Sequence, residues 1–343
     1  MARSIQSEVL VTGAAGYTGS FLVRKLVARG VSVRGLVRDT SDTTHLAHLP
    51  VRWLRGNVYD PALIREAVEG VSTIFHLATP YRRALASARE MHDVHVVSTQ
   101  LLAYEATRTK TPPRFVHVST VGVHGHIEEP PADESYPMQP RDDYQETKAQ
   151  AEVWITEFGR EEGLPVTVVR PAAIFGPGDR RLFKVFWMVA HRLVPVVGSG
   201  KHLYHLVHVD DLTDFMILVS KDLRAIGETY ICGCERAISY QHFLKTIASQ
   251  YGRSFSLVKL PAAPMLALAD VCERVFCALR LNPPLYRRRV SFFLCDRSFN
   301  THKMRSIGFI PRRTIDAALR ETAQWYVDHG WLRLGSLLMC LSM

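Results

Sequence analysis

The sequence predicts a doubly wound α/β fold: a parallel sheet covered on both faces, with a smaller C-terminal lobe interleaved with its end. Three observations carry this. Short β-branched runs alternate with longer helical patterns from residue 8 to about residue 170. The runs are almost continuously apolar, as strands buried on both faces must be. Glycines stand at Gly13, Gly16 and Gly19, where the first run hands over to the first helix. Right-handed crossovers between successive strands then wind the sheet in both directions.

The elements follow in order. "EVLVTG" reads as a strand, and residues 17–29 as a helix with Phe21, Leu22, Leu26 and Val27 on one side. "VSVRGLV" and "VRWLRG" are the next strands, and "DPALIREAVEG" is a helix with Asp60 as N-cap and Pro61 at its first position. "STIFHLA" is a fourth strand, residues 88–108 one longer helix, "RFVHVST" a fifth strand, residues 142–161 another helix and "LPVTVVRP" a sixth strand. After Pro171 the rhythm degrades. Residues 176–204 are rich in Gly and Pro, and "HLVHVDDLTDFMILVS" returns to a strand and a helix.

The chain has 343 residues, 47% hydrophobic and 22% charged, which suits a folded protein with a sizeable core. Its formal net charge of +9 can attract phosphorylated ligands, anionic lipid or nucleic acid. Positive residues cluster at Arg287-Arg288-Arg289 and Arg312-Arg313, yet no basic–aromatic stripe or zinc-finger spacing accompanies them, so nucleic acid is not an expected partner. The six cysteines include no CxxC pair, and reduced thiols in the cytoplasm are the simplest expectation. Neither a secretory signal nor a run long enough to span a bilayer is expected.

A parallel strand ending in Thr12-Gly13, with a helix beginning near Tyr17, presents free backbone N–H groups and a positive dipole end. That suits a pyrophosphate. Gly13 serves the tight turn, Gly16 lets the backbone approach the phosphate, and Gly19 lets the helix pack closely. The spacing is GxxGxxG rather than GxGxxG, and three glycines alone are also explained by tight packing without ligand. Their position after the first strand favours a dinucleotide.

"TGAAGYTG" resembles the glycine motif of the extended short-chain dehydrogenase/reductase superfamily, the NAD-dependent epimerase/dehydratase family. The resemblance continues in order through "GNVYDPALIREAVEGVSTIFHLA", "RFVHVSTVGVHG", "YQETK", "RPAAIFGPGD" and "LVHVDDL", and covers the chain to about Leu332. It implies a Rossmann domain in residues 1–175 plus about 205–230. A substrate lobe is expected in about 176–204 and 231–332, with an apolar tail at 333–343. Gly13, Gly16, Tyr17, Thr18 and Gly19 would hold the cofactor, with Leu77, Ala78 and Thr79 along it. Pro171 and Ala173 of "RPAAIFGPGD" join that set. Asn57 and Val58 match an Asp–hydrophobic pair beside the adenine, with asparagine in place of aspartate.

A basic residue at the end of the second strand accommodates the 2′-phosphate of NADP, and an acidic one favours NAD. "VSVRGLVRD" offers Arg34 and Arg38; similar NADP-using reductases place Arg38 beside the phosphate, while Asp39 points the other way. NADP(H) is favoured and NAD(H) stays open.

Tyr144 and Lys148 form the family's YxxxK, and residues four apart share a helix face. A lysine there favours the tyrosine phenolate, whereas a free tyrosine, ionising near about pH 10, is a poor base. By spacing from "VHG", Thr120 falls on the family's catalytic Ser/Thr position, with Ser119 as its neighbour and runner-up. His95 stands where the family usually has Asn, and reads either as a substitute supporting the lysine or as a packed helix histidine. His202, His205 and His208 lie on a loop and strand where spacings of three do not converge, so no metal is expected.

"PAAPMLALADVCERVFCALRLNPPLYRRR" and "RSFNTHKMRSIGFIPRRTIDAALRETAQWYVDHGWL" are most similar to the 3β-hydroxysteroid and sterol dehydrogenase branch. That implies hydride transfer at a secondary alcohol or ketone of a hydrophobic small molecule. A nucleotide-sugar epimerase is the alternative. Dehydratases usually carry an acidic pair directly after the catalytic Thr, where this chain has Val121-Gly122. A non-enzymatic NADP-sensing regulator is a third reading, against which the Tyr144/Lys148 pair stands. The resemblance also implies a homodimer through helices 88–108 and 142–161. The apolar helix and basic cluster of 264–289, or the tail, suit peripheral contact with a membrane.

Overall fold

The computed structural model describes residues 8–80, 87–279 and 294–334, with residues 281, 283–285, 287 and 290 between the last two spans. The tail from 335 onward, and Arg288 and Arg289 of the basic cluster, lie outside the described residues. The first half runs β1 (Glu8–Thr12), α1 (Tyr17–Ala28), β2 (Ser32–Val37), β3 (Val51–Arg55), α2 (Pro61–Val68), β4 (Val71–His76), α3 (Ala88–His92), α4 (Ser98–Thr107), β5 (Arg114–Val118), α5 (Asp143–Glu162) and β6 (Val166–Pro171). The second half begins with β7 (Ala173–Phe175), α6 (Phe183–Ala190), β8 (Leu193–Val197), β9 (Leu203–Tyr204), β10 (Leu206–His208), α7 (Val209–Val219) and β11 (Thr229–Cys232). It closes with β12 (Ile238–Ser239), α8 (Tyr240–Gln250), β13 (Ser256–Leu260), α9 (Ala262–Ala278), α10 (His302–Ser306) and α11 (Ile315–Asp328).

Seven strands form one parallel sheet in the order β3-β2-β1-β4-β5-β6-β11, and the parallel, doubly wound class is the predicted one. The seventh strand, β11, is not among those read from the sequence. The expected strand in "HLVHVDDL" is β10, which pairs with β7 outside this sheet. The chain walks outward from β1 to β3, then restarts at β4 and walks the other way. The reversal leaves a crevice beyond the ends of β1 and β4, where ligands of open α/β sheets bind.

Alternation along the strands fills both faces. Val9 and Val11 join Leu22 and Leu26 of α1 and Phe215 and Met216 of α7 in one core. Leu10 points the other way, into a second core with Ile64 of α2, Leu102 of α4 and Ile155 of α5. A third core, between residues 175 and 332, gathers Phe186 of α6, Leu244 and Ile247 of α8, and Leu319 and Tyr326 of α11. There β8 pairs with β13 and β9 with β12. Asp214 of α7, nearly buried, binds Lys25, Arg29 and Arg312 at 3.0, 2.8 and 3.2 Å, and so fastens α1 to α7 and to the segment leading into α11.

The predicted single helix 88–108 is α3 and α4 joined by a π-helical turn, Asp93–Val97. One extra residue widens the helix there. Hydroxyls of the following turn bond back to the carbonyls this disturbs: Ser98 to Val94 O, and Thr99 to His95 O at 2.6 Å.

Candidate active site at the switch crevice

β1 ends in Gly13, whose φ of +67° turns the chain, and the loop closes with Gly16 N–H donating to Gly13 O at 2.9 Å. Gly16 is the N-cap of α1, and no side chain caps that helix. Its first N–H groups, at Tyr17, Thr18 and Gly19, are therefore available to an anion. A Cβ on Gly19 would lie 2.2 Å from Gly13 O, so the helix packs on the loop backbone itself. This cradle fits a dinucleotide diphosphate. Gly19→Ala is expected to displace the loop, cost about 1–3 kcal/mol and weaken NAD(P)H binding at least tenfold. Nucleotide fluorescence titration and thermal melting check this; unchanged affinity would count against the cradle.

The facing wall is tied on by Thr12. Its hydroxyl accepts from the amides of Leu77 and Ala78, both at 3.1 Å, and gives its proton to His76 Nδ1 at 2.8 Å. His76 Nε2 in turn lies 3.1 Å from Ser98 Oγ. Leu77, Ala78 and Thr79 thus stand beside the glycine loop, with the Ala78 backbone 3.2 Å from where a Gly13 Cβ would be. Pro171 and Ala173 follow at the end of β6 and in β7, and Val58 is buried next to exposed Asn57 after β3.

The structure separates the two arginines of β2. Arg34 points sideways into the protein, where it pairs with Glu8 and donates to Glu66 O, Ala67 O and Glu69 O at 2.7, 2.9 and 3.0 Å. It caps the carboxyl end of α2 and is not available to a cofactor, which corrects its candidacy. Arg38 is exposed beyond the strand's end. Arg55, unnoticed in the sequence, ends β3 beside it and holds the adjoining loop by bonds to Asp39 O, Ser41 O and Thr43 Oγ1. Strand pairing, not sequence distance, brings it there.

α5 is entered through Asp142, which accepts from Gln145 N at 3.0 Å while Gln145 Oε1 accepts from Arg141 N at 2.8 Å. This double cap fixes the first turn, which carries Tyr144. One turn on, buried Lys148 donates from Nζ to Val118 O, at the end of β5, at 2.8 Å. Thr120 follows β5; its Oγ1 accepts from Gly122 N at 3.0 Å, leaving its own proton to be donated. Ser119 is buried, and its hydroxyl finds no partner among the described residues. Half-buried Tyr144 has the edge of His95 against it, with ring centroids 5.2 Å apart.

Arg181 was also invisible to sequence reasoning. Asp179 Oδ1 and Ile174 O hold it at 2.9 Å each, over the ring of Tyr17, and its charge reaches Tyr144. The three histidines screened for metal binding are engaged separately. His205 bonds Cys234 O and Phe299 N, His208 caps α7, and His202 faces Asp296.

Beneath Lys148 lie His76 and His117, paired across β4 and β5 with rings 5.7 Å apart. Burial, then Lys148, holds His76 down to about 3, and the same two causes push His117 well below the ordinary histidine value. Neither ring nitrogen of His117 has a partner among the described residues. The unfolded chain takes up protons below about pH 6.5 where the folded chain does not. Stability is therefore full above that pH and falls as pH drops toward 3. Keeping His76 neutral costs about 2 kcal/mol at about pH 5, and His117 acts in the same direction. His117→Leu is expected to leave melting near neutrality unchanged or raised, and to flatten the acid decline. An identical decline in this variant would reject the account.

A glycine cradle at the switch point of a parallel sheet, with a tyrosine and a lysine four residues apart on α5, is the arrangement of an enzyme of the extended short-chain type. The chain belongs to the NAD dependent epimerase/dehydratase family, whose model matches residues 9–233. Over 94% of its length it is 31% identical to sterol demethylase protein B of Methylococcus capsulatus, covering 99% of that protein. It is 29% identical to a dTDP-glucose 4,6-dehydratase of Streptomyces niveus, over 94% of this chain and 93% of the relative. It is 26% identical to 3beta-hydroxysteroid-dehydrogenase/decarboxylase isoform 2 of Arabidopsis thaliana, over 80% of this chain and 53% of that protein.

Proposed function

We propose that this enzyme moves a hydride between NADP(H) and a secondary alcohol or ketone of a hydrophobic, sterol- or isoprenoid-like molecule. The observation that carries the reaction type is the bond from Lys148, one turn beyond Tyr144 on α5, to Val118 O at the end of β5, two residues before Thr120. A bound nicotinamide supplies the hydride acceptor or donor. Tyr144 exchanges the proton of the substrate oxygen, taking it in oxidation and giving it in reduction. Thr120 donates its free proton to that same oxygen and fixes its direction. Lys148, anchored on Val118 O, keeps a positive charge on the tyrosine's side of the helix and favours its phenolate.

The substrate class rests on the lobe and on the relatives named for sterols. α9 presents Leu268, Val271, Val275 and Leu279 as one exposed stripe at helical spacing. Such a stripe suits contact at a membrane surface, and no described helix is long and apolar enough to cross one. A second apolar surface, with Tyr104, Val153, Trp154 and Phe158 on α4 and α5, suits the homodimer. Exposed Arg38, braced by the loop that Arg55 holds, favours the 2′-phosphate of NADP over NAD.

The nucleotide-sugar reading draws on the dehydratase relative, but Val121-Gly122 provide no acid beside Thr120 for loss of water. Incubation with NADPH or NAD⁺ and a panel of sterols, isoprenoid ketones and UDP- or dTDP-sugars decides. A change in reduced-cofactor absorbance with the hydrophobic ketones or alcohols supports the proposal. Sugar isomers formed without net absorbance change would replace it.

A further inference from the structure

His95 sits in the π-helical turn, fully buried, with both ring nitrogens committed. Nδ1 lies 2.8 Å from Thr147 Oγ1 and Nε2 lies 2.9 Å from Thr79 Oγ1. Thr147 donates its own proton to Asp143 O at 2.8 Å. It must therefore accept from His95 Nδ1–H, and in the neutral imidazole Nε2 accepts from the Thr79 hydroxyl. The chain of bonds thus runs in one direction, from the loop after β4, through His95, to the first turn of α5. The same ring meets Tyr144 edge to face at 5.2 Å. The loop at its start is the one Thr12 latches beside Gly13.

We propose that His95 is a positioning residue that couples cofactor seating along residues 77–79 to the orientation of the Tyr144 phenol. This rests on the reading of Tyr144 as the proton-exchanging group. The π turn is what makes the coupling reachable, because the extra residue carries the imidazole inward between the two threonines. Among the described residues, the titratable and charged groups around Tyr144 include Lys148 one turn on along its own helix, His95 from the turn, and Arg181 from the segment after β7, whose charge reaches it.

The test follows the ultraviolet absorbance of tyrosinate with pH, taking Tyr144 as the difference between each protein and its Tyr144→Phe counterpart, with and without saturating NADP⁺. Dinucleotide affinity is measured in parallel by nucleotide fluorescence. In the natural protein NADP⁺ is expected to shift the Tyr144 titration. His95→Leu and Thr147→Val should remove at least half of that shift, and His95→Gln, which keeps one acceptor and one donor, should restore most of it. Thr147→Val changes little volume and keeps the test open if His95→Leu does not fold. A shift unchanged in both variants, or absent in a natural protein that binds NADP⁺, overturns the coupling alone. A natural protein that binds no dinucleotide overturns the proposed function as well.

Discussion

Tyr144→Phe is expected to lower turnover about a thousandfold while leaving dinucleotide affinity within about threefold. The substitution removes one oxygen and keeps the ring. The edge contact with His95, the Asp142 and Gln145 caps and the Lys148–Val118 bond all survive, so the helix has no reason to move. What is lost is the proposed proton donor and acceptor at the reacting oxygen, and Thr120 cannot replace it. A threonine hydroxyl is too weak an acid to deliver a proton unaided, and its own lone pair is held by Gly122 N–H. Lys148 is a less informative site, because its removal also leaves Val118 O without its donor in a buried place. The measurement is kcat and KM for Tyr144→Phe with whichever ketone oxidises NADPH, alongside the fluorescence Kd. Turnover retained within tenfold would mean that another group moves the proton.

How much of this was legible beforehand depends on whether the signal was local. The strand–glycine–helix opening was, because φ at Gly13 and the close packing at Gly19 are demands made within a few residues. The cap at Asp60 and the Tyr144–Lys148 spacing were legible for the same reason. Arg34 stood beside the preferred Arg38 as a candidate because both lie in the run "VSVRGLVRD". Alternation along β2 sends it to the α2 face with Leu36, and charge alone does not report which face a strand residue takes. The π turn escaped because apolar periodicity averages over several turns, and one inserted residue barely disturbs it. Arg55 and the β8–β13 and β9–β12 pairings needed contacts between distant segments, which no spacing rule supplies. The buried histidine pair escaped too, because only strand register sets His76 beside His117.

Arg170→Met is expected to cost about 3–5 kcal/mol of stability, more than any surface change. Arg170, the last residue before Pro171, is almost fully buried with Glu152, its Nε and Nη2 lying 2.8 and 2.6 Å from the carboxylate. Its Nη1 donates to Glu134 O at 2.9 Å and lies 3.1 Å from His124 Nε2. Burial, then this guanidinium, lowers His124 to about 4, so its ring is neutral and accepts from the arginine. Arg170 itself is on β6, and its three partners come from α5 one turn beyond Lys148, from the turn after Thr120, and from the loop that precedes α5. One guanidinium therefore holds together the elements that carry the three proposed site residues. Methionine fills much of the space but strands the Glu152 carboxylate without a counter-charge. The double variant Arg170→Met/Glu152→Leu removes both charges and should be more stable than Arg170→Met alone, since an apolar pair avoids the desolvation that a single buried ion suffers. Urea unfolding of Arg170→Met, Glu152→Leu and the double variant makes the comparison. A loss under about 1 kcal/mol for Arg170→Met, or a double variant as damaged as the sum of its parts, would mean that these elements are held by packing and not by the ion pair.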